Sequence, residues 1–272
     1  MMPPRAVTAS LLEVKNLSVS YKEAAPSLRE VSFSMRQGEI IGIVGESGSG
    51  KSTLIRALLG LLPVGGQYKE GEITFGDRVL LRGSQQHWQG MRGKRIATVF
   101  QDTGSYLNPI QSIGSQYVEA IRAHLPMSRK AAQALAVRAL AHVGLDNPEQ
   151  VMRSYASQLS GGMKQRAAIA MAAALEPELL LADEPTSALD VTTQNEVMKQ
   201  LKKLCIEKGT SMILVTHNIA VAAHMADRIG VMLDGRLVEL DDTLHVISNP
   251  VHAYTRKLLQ AVPELEGNVH DR

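Results

Sequence analysis

Residues 12–21 alternate apolar and polar side chains, the period of a strand with one buried face. A second strand is expected over 31–35, closed by a turn at Gln37-Gly38. Residues 39–44 then form a short apolar run, as in a strand covered on both faces. The glycine–serine stretch 45–50 breaks that run and opens into 51–62, which is rich in helix formers. Residues 70–81 read as a β hairpin turning at Gly76-Asp77, and 96–100 as a strand ending at Gln101. From about 113 to 155 the chain is rich in alanine, leucine and arginine, the pattern of an inserted helical region. A further helix is expected over 162–175, strands over 179–182 and 212–216, and a hairpin over 230–240 with Asp234-Gly235 at its turn. Strands alternating with helices predict an α/β fold with a mostly parallel sheet, whose ligands lie beyond the carboxyl ends of strands.

Composition narrows the class of partner. With 29 basic against 27 acidic residues the formal net charge is +2, and aromatics are only 4%. Neither an electrostatic nor a stacking platform for nucleic acid is expected. The single cysteine, Cys205, lies in the helical pattern of Val197, Leu201 and Leu204 and reads as a buried thiol. One cysteine allows no disulfide within the chain and fits a reducing compartment. The first ten residues lack the apolar stretch of a signal peptide, and the polar segment 264–272 is expected to fray. The longest apolar candidate for a membrane span, 167–175, stops at Glu176 and Pro177, so any membrane role is exercised from outside the bilayer.

The chemistry starts at Gly45-Glu46-Ser47-Gly48-Ser49-Gly50-Lys51-Ser52, followed by Thr53. This is G-x-x-x-x-G-K-[ST] between a buried strand and a helix, a phosphate-binding loop. Its backbone N–H groups and the positive end of the following helix suit a phosphate chain. Lys51 can reach the β and γ phosphates, and the Ser52 hydroxyl can join a Mg²⁺ shell. Directly after the apolar strand 179–182 stand Asp183 and Glu184. Asp183 is placed to hold a Mg²⁺-bound water, and Glu184 to orient or deprotonate the attacking water. His217 ends the strand 212–216 and is a candidate γ-phosphate contact.

The segment Leu159-Ser160-Gly161-Gly162-Met163-Lys164-Gln165-Arg166 resembles the signature sequence of ATP-binding-cassette ATPases. The family's other elements occur in order. Tyr21 matches the aromatic that stacks on adenine, Gln101 the Q-loop glutamine, Ser187-Ala188-Leu189-Asp190 the D-loop and His217 the switch histidine. The resemblance implies one cassette ATPase domain over 11–262, with an antiparallel β subdomain, a helical insert over about 113–175 and a short tail, 263–272. It also implies ATP and Mg²⁺ as ligands and a head-to-tail dimer with two ATPs between subunits. Lys51, Gln101, Glu184 and His217 are then catalytic, and Ser52, Gln101 and Asp183 serve the metal. Tyr21 and residues 45–53 hold this chain's own nucleotide, while Ser160, Gly161 and Gly162 serve the partner's.

A finer similarity is to importers of oligopeptides, dipeptides and nickel. It rests on Tyr106-Leu107-Asn108-Pro109 with Ile113-Gly114 and Gln116, on Met163 with 167–173, and on a tail of Asn249-Pro250, Tyr254-Thr255, Leu258-Leu259 and Val262-Pro263. The first of the two ATPases in such systems is the nearest pattern. A second, different ATPase, two membrane-spanning permeases meeting the segment 101–155, and indirectly an extracytoplasmic solute-binding protein are the partners this implies. The expected location is peripheral, at the cytoplasmic face of the inner or plasma membrane. Asn218 stands where the family usually has aspartate, Ala253 where it has proline, and the cysteine cluster of longer members is expected to be absent. A soluble cassette protein of DNA repair or translation is the alternative. A P-loop GTPase or small-molecule kinase is opposed by the signature and by the lack of Asn-Lys-x-Asp.

Overall fold

In the computed structural model, β1 (Ser10–Tyr21) is paired antiparallel on one edge with β2 (Leu28–Arg36) and on the other with β4 (Gly66–Phe75). The structure describes residues 10–21, 26–81, 88–101, 106–187 and 189–261, with the backbone alone at Val191. Two compact units are present, one of residues 1–90 with 213–272 and one of residues 91–212.

β1 carries the alternation read in the sequence, but its phase slips in the middle. Leu12 and Val14 are buried, and so are Leu17 and Val19. The register to β2 shifts between Val14 and Leu17, where Asn16 adopts φ 50°. Asparagine tolerates that left-handed conformation, and an extra residue there returns the apolar set to the same face. The Asn16 N–H donates to Ser32 Oγ at 2.8 Å, and the Ser32 hydroxyl donates back to Asn16 Oδ1 at 3.1 Å.

β3 (Ile40–Val44) is buried at all five positions, as the apolar run predicts. α1 (Lys51–Leu58) follows the phosphate loop. It is shorter than the expected 51–62, because Gly60 at φ 64° takes the chain out of the helix, with Gly60 N–H bonding Ala57 O and Leu61 N–H bonding Arg56 O. β4 starts earlier than the pattern suggested, and β5 (Arg78–Val79) completes a short hairpin around Gly76-Asp77.

The second unit begins near β6 (Ile96–Val99), which runs parallel to β7 (Leu179–Asp183). The Arg95 guanidinium grips the Glu178 carboxylate through Nε and, at 2.9 Å, through Nη2, aligning the starts of both strands. Between them lie α2 (Ile113–His124), α3 (Arg129–His142), α4 (Pro148–Arg153) and α5 (Gly161–Ala173); α6 (Val191–Lys208) follows β7. The continuous helical pattern over 113–155 is therefore three helices. Their side-chain caps are Ser112, Ser128 and Asn147, with Pro148 at the first helical position, and each cap oxygen accepts a backbone N–H of the first turn. Tyr117 of α2 is fully buried, and its hydroxyl donates to the Ala167 carbonyl of α5.

The chain returns to the first unit along β8 (Ser211–Thr216). It continues through α7 (Ile219–Met225), β9 (Arg228–Leu233), β10 (Arg236–Asp242), α8 (Thr243–Ser248) and α9 (Ala253–Gln260). In this unit the order is β10-β9-β3-β8, with β3 and β9 parallel and β9 and β10 antiparallel. The expected tail 263–272 and Ala188 of the D-loop lie outside the described residues.

Candidate functional site

In the first unit, β3 delivers the chain into residues 45–50 and α1 carries it away. Gly50 is the residue before α1, at φ 103°, and a Cβ there would fall 2.6 Å from Ser27 O. Only glycine meets both conditions. Lys51 is buried, and its Nζ donates to Gly45 O at 2.7 Å and to Glu46 O at 2.8 Å. The ammonium group thus holds the loop's own carbonyls. Ser52 and Thr53 follow in the first turn of α1, where backbone N–H groups have no carbonyl of their own helix. The Ser49 hydroxyl is buried without a hydrogen-bond partner among the described residues.

His217 is exposed one residue past β8. The next residue, Asn218, caps α7: its Oδ1 accepts from Ala220 N at 2.9 Å and Val221 N at 3.4 Å. The neutral amide suffices for this, since a cap needs an oxygen acceptor and not a charge. Tyr21 ends β1 beside Gly66, where a Cβ would fall 2.8 Å from Tyr21 Cε1. Its phenol oxygen is buried without a partner among the described residues.

The second unit holds the two acids. Asp183 is the last residue of β7 and is 6% exposed. Glu184 leaves the strand at φ 44°, a left-handed conformation costing a bulky residue about 1–3 kcal/mol. Two consecutive residues of a strand point to opposite faces; the turn at Glu184 breaks that alternation. Gln101, two residues beyond β6, places Nε2 3.5 Å from Glu184 Oε2. The structure thus brings Gln101 and Glu184 together at the ends of two parallel strands.

The signature segment starts α5. Ser160 is exposed, and its Oγ accepts the Met163 N–H at 3.3 Å as the helix cap. At Gly162 a Cβ would lie 2.6 Å from Thr193 Cγ2 of α6, so the second glycine is required for helix packing. Gly161 is exposed beside it. The result is an open N-terminus of a thirteen-residue helix, with the positive end of its dipole uncovered. Asp190 of the D-loop caps α6, accepting from Thr193 N at 3.0 Å; that hydrogen bond holds its carboxyl below the ordinary value.

Cys205 is buried, and burial pushes its thiol up to about 12, which disfavours the reactive thiolate. One contact was not legible in the sequence. The Tyr254 hydroxyl accepts a hydrogen bond from the Glu46 N–H of the phosphate loop at 3.0 Å, across 208 positions. The sequence marks Tyr254 only as part of a tail resemblance, and no local period points it at residue 46.

The glycine–serine loop between β3 and α1, the two acids at the end of β7 and the glycine-headed start of α5 are the features expected of a cassette-type nucleotide hydrolase. The family model described as "ABC transporter" matches residues 28–187. The chain is 42% identical over 262 residues to the oligopeptide transport ATP-binding protein OppD of Bacillus subtilis, covering 95% of this chain and 73% of that protein. It is 41% identical over 262 residues to the dipeptide transport ATP-binding protein DppD of the same organism, covering 95% and 78%. The ATP-binding cassette MJ0796, solved as a dimer in a post-hydrolysis state bound to ADP and Pi, superposes with a TM-score of 0.76 at 31% identity, covering 85% of this chain and 98% of that one. The chain belongs to the ABC transporter family, as an ATP-binding and ATP-hydrolysing subunit with the family's α/β fold. The transport reading therefore stands over that of a soluble repair or translation ATPase. Among the described residues no helix is long and apolar enough to cross a membrane.

Proposed function

We propose that this chain is one ATPase of a peptide importer, working from the cytoplasmic face of the membrane against two permease subunits and a second, non-identical ATPase. An extracytoplasmic binding protein supplies the solute indirectly. OppD and DppD, whose names specify oligopeptide and dipeptide transport, support peptides as the solute class. The observation that carries the coupling is the approach of Gln101 to Glu184 at 3.5 Å. Gln101 leads into the segment that meets the permeases, so a movement there reaches the hydrolytic carboxylate directly. Tyr106 and Ile110 of that segment are 62% and 83% exposed, although Asn108 between them in sequence is held by Gln116, whose Oε1 accepts the Asn108 N–H at 2.9 Å. Exposed apolar side chains on an ordered loop suit a protein interface.

ATP sits with its phosphates in residues 45–53 and its adenine against Tyr21. On binding, Lys51 exchanges the Gly45 and Glu46 carbonyls for the β and γ phosphates. Glu184 orients and deprotonates the attacking water, and His217 contacts the γ-phosphate. Ser160, Gly161 and Gly162 close over the partner's nucleotide in a head-to-tail dimer. For Mg²⁺ the donors fit: the Ser52 hydroxyl, the Asp183 carboxylate and the Gln101 amide oxygen are hard oxygen ligands. Among the described residues no group of three or more His, Cys, Asp or Glu could hold a metal by itself. Mg²⁺ held with ATP would share such side chains with phosphate oxygens and water. When bound, it neutralises charge developing on the transferred phosphoryl group.

The test is reconstitution of this chain with its two permeases and second ATPase in lipid vesicles. ATP hydrolysis is expected to rise when peptide-loaded binding protein is added, with peptide accumulating inside. Full hydrolysis that ignores the permeases and the loaded binding protein would contradict the proposal.

A further inference from the structure

The peptide unit joining Gly45 to Glu46 is held at both of its polar ends. Its carbonyl, Gly45 O, takes the Lys51 ammonium at 2.7 Å, and its N–H, that of Glu46, donates to the Tyr254 hydroxyl at 3.0 Å. Lys51 must release that carbonyl to reach ATP; Tyr254 has no such second task. It comes from α9, the last described helix, and not from the loop or its flanking strand and helix.

Tyr254 is itself fixed. Its ring packs on the cluster of Val44, Ile219, Ala222, Ile229, Val231 and Val246, with Leu258 and Leu259 of the same helix beside it. The turn entering α9 is clamped by one carboxylate of β10. Glu239 accepts the Val251 N–H at 2.8 Å, the His252 N–H at 3.0 Å and the hydroxyl of the fully buried Thr255. His252 Nδ1 accepts the Tyr254 N–H at 3.2 Å and caps the helix. These contacts do the work of the missing proline at 253: the entry to α9 is set by hydrogen bonds and not by a fixed φ.

We infer that Tyr254 is a positioning residue of the nucleotide site, holding the Gly45–Glu46 peptide in place when Lys51 turns to the phosphates, so that the C-terminal helix contributes to ATP affinity. It touches no reacting atom. The inference rests on the phosphate loop being the nucleotide site of this chain.

Tyr254→Phe keeps the ring and removes only the oxygen. In the full chain, equilibrium binding of ATP is expected to weaken about fivefold, the worth of one ordinary hydrogen bond. In the assembled transporter, KM for ATP is expected to rise by the same factor with kcat unchanged. Amide exchange at Glu46 is expected to accelerate while the melting temperature stays at the wild-type value. A merely structural role for the tail would lower the melting temperature and leave KM and the Glu46 amide alone, and that result would overturn the inference. Lys51→Ala is the control: if it loses ATP and Tyr254→Phe does not, the positioning role fails and the nucleotide site stands. If neither variant loses ATP, the site assignment itself fails and the inference falls with it.

Discussion

Gln101 Nε2 lies 3.5 Å from Glu184 Oε2, each residue just past the carboxyl end of its strand, β6 and β7. The amide faces a carboxylate whose backbone is held in the left-handed region, at φ 44°. Removing it takes one hydrogen-bonding contact from Glu184 without touching the phosphate loop. Gln101→Ala is therefore expected to lower kcat roughly ten- to hundredfold, a larger factor than the accompanying rise in KM for ATP. Steady-state ATPase kinetics of the assembled complex measure both.

The open helix end at Ser160 is assigned to the partner's nucleotide. Ser160→Arg should fill it with a long cation and block closure, lowering ATPase by at least tenfold. This chain's own ATP affinity, read by equilibrium binding, should remain that of wild type. Loss of its own binding would refute the assignment in trans.

Cys205 offers a check on the core. With the thiol at about 12, the reactive thiolate at pH 8 is only about one part in ten thousand, and the side chain is 2% exposed. A thiol reagent is expected to label the native chain negligibly over hours and fully once denaturant is added. Rapid native labelling would show that α6 opens readily.

Much of this was readable beforehand, for identifiable reasons. The candidate phosphate loop, the acids after β7 and the signature segment are contiguous motifs, so spacing alone places them at a helix start and at strand ends. The strand runs were legible because β3 and β7 are buried on both faces. What escaped depends on phase or distance. The slip at Asn16 hides inside an apparently regular alternation. The need for glycine at Gly162 comes from Thr193, 31 positions away in another helix. The splitting of 113–155 was signalled only by the caps Ser128 and Asn147-Pro148. The short helices α8 and α9 lack the length for a clear period, so Tyr254 is found only in three dimensions.

The Glu239 clamp carries a pH signature. Burial raises its carboxyl, but hydrogen bonds from Thr255, Val251 and His252, with the charge of His252, outweigh it and leave the group below its ordinary 4.5. A lowered carboxylate stabilises the fold fully above the unfolded value and loses that contribution as pH falls through the folded one. Glu239→Gln should lower the melting temperature at pH 7 and narrow the gap to wild type below about pH 4, as thermal melts across that range will show. A gap independent of pH would place the effect elsewhere.

Glu184→Gln tests the central assignment most directly, because it removes one negative charge and nothing of the shape. ATP binding to the variant is expected to match wild type, while single-turnover hydrolysis in the assembled complex falls by at least a hundredfold. The ATP-loaded dimer should persist long enough to be isolated by size exclusion. Hydrolysis retained within a few fold of wild type would contradict the role of Glu184 and, with it, the mechanism proposed for this chain.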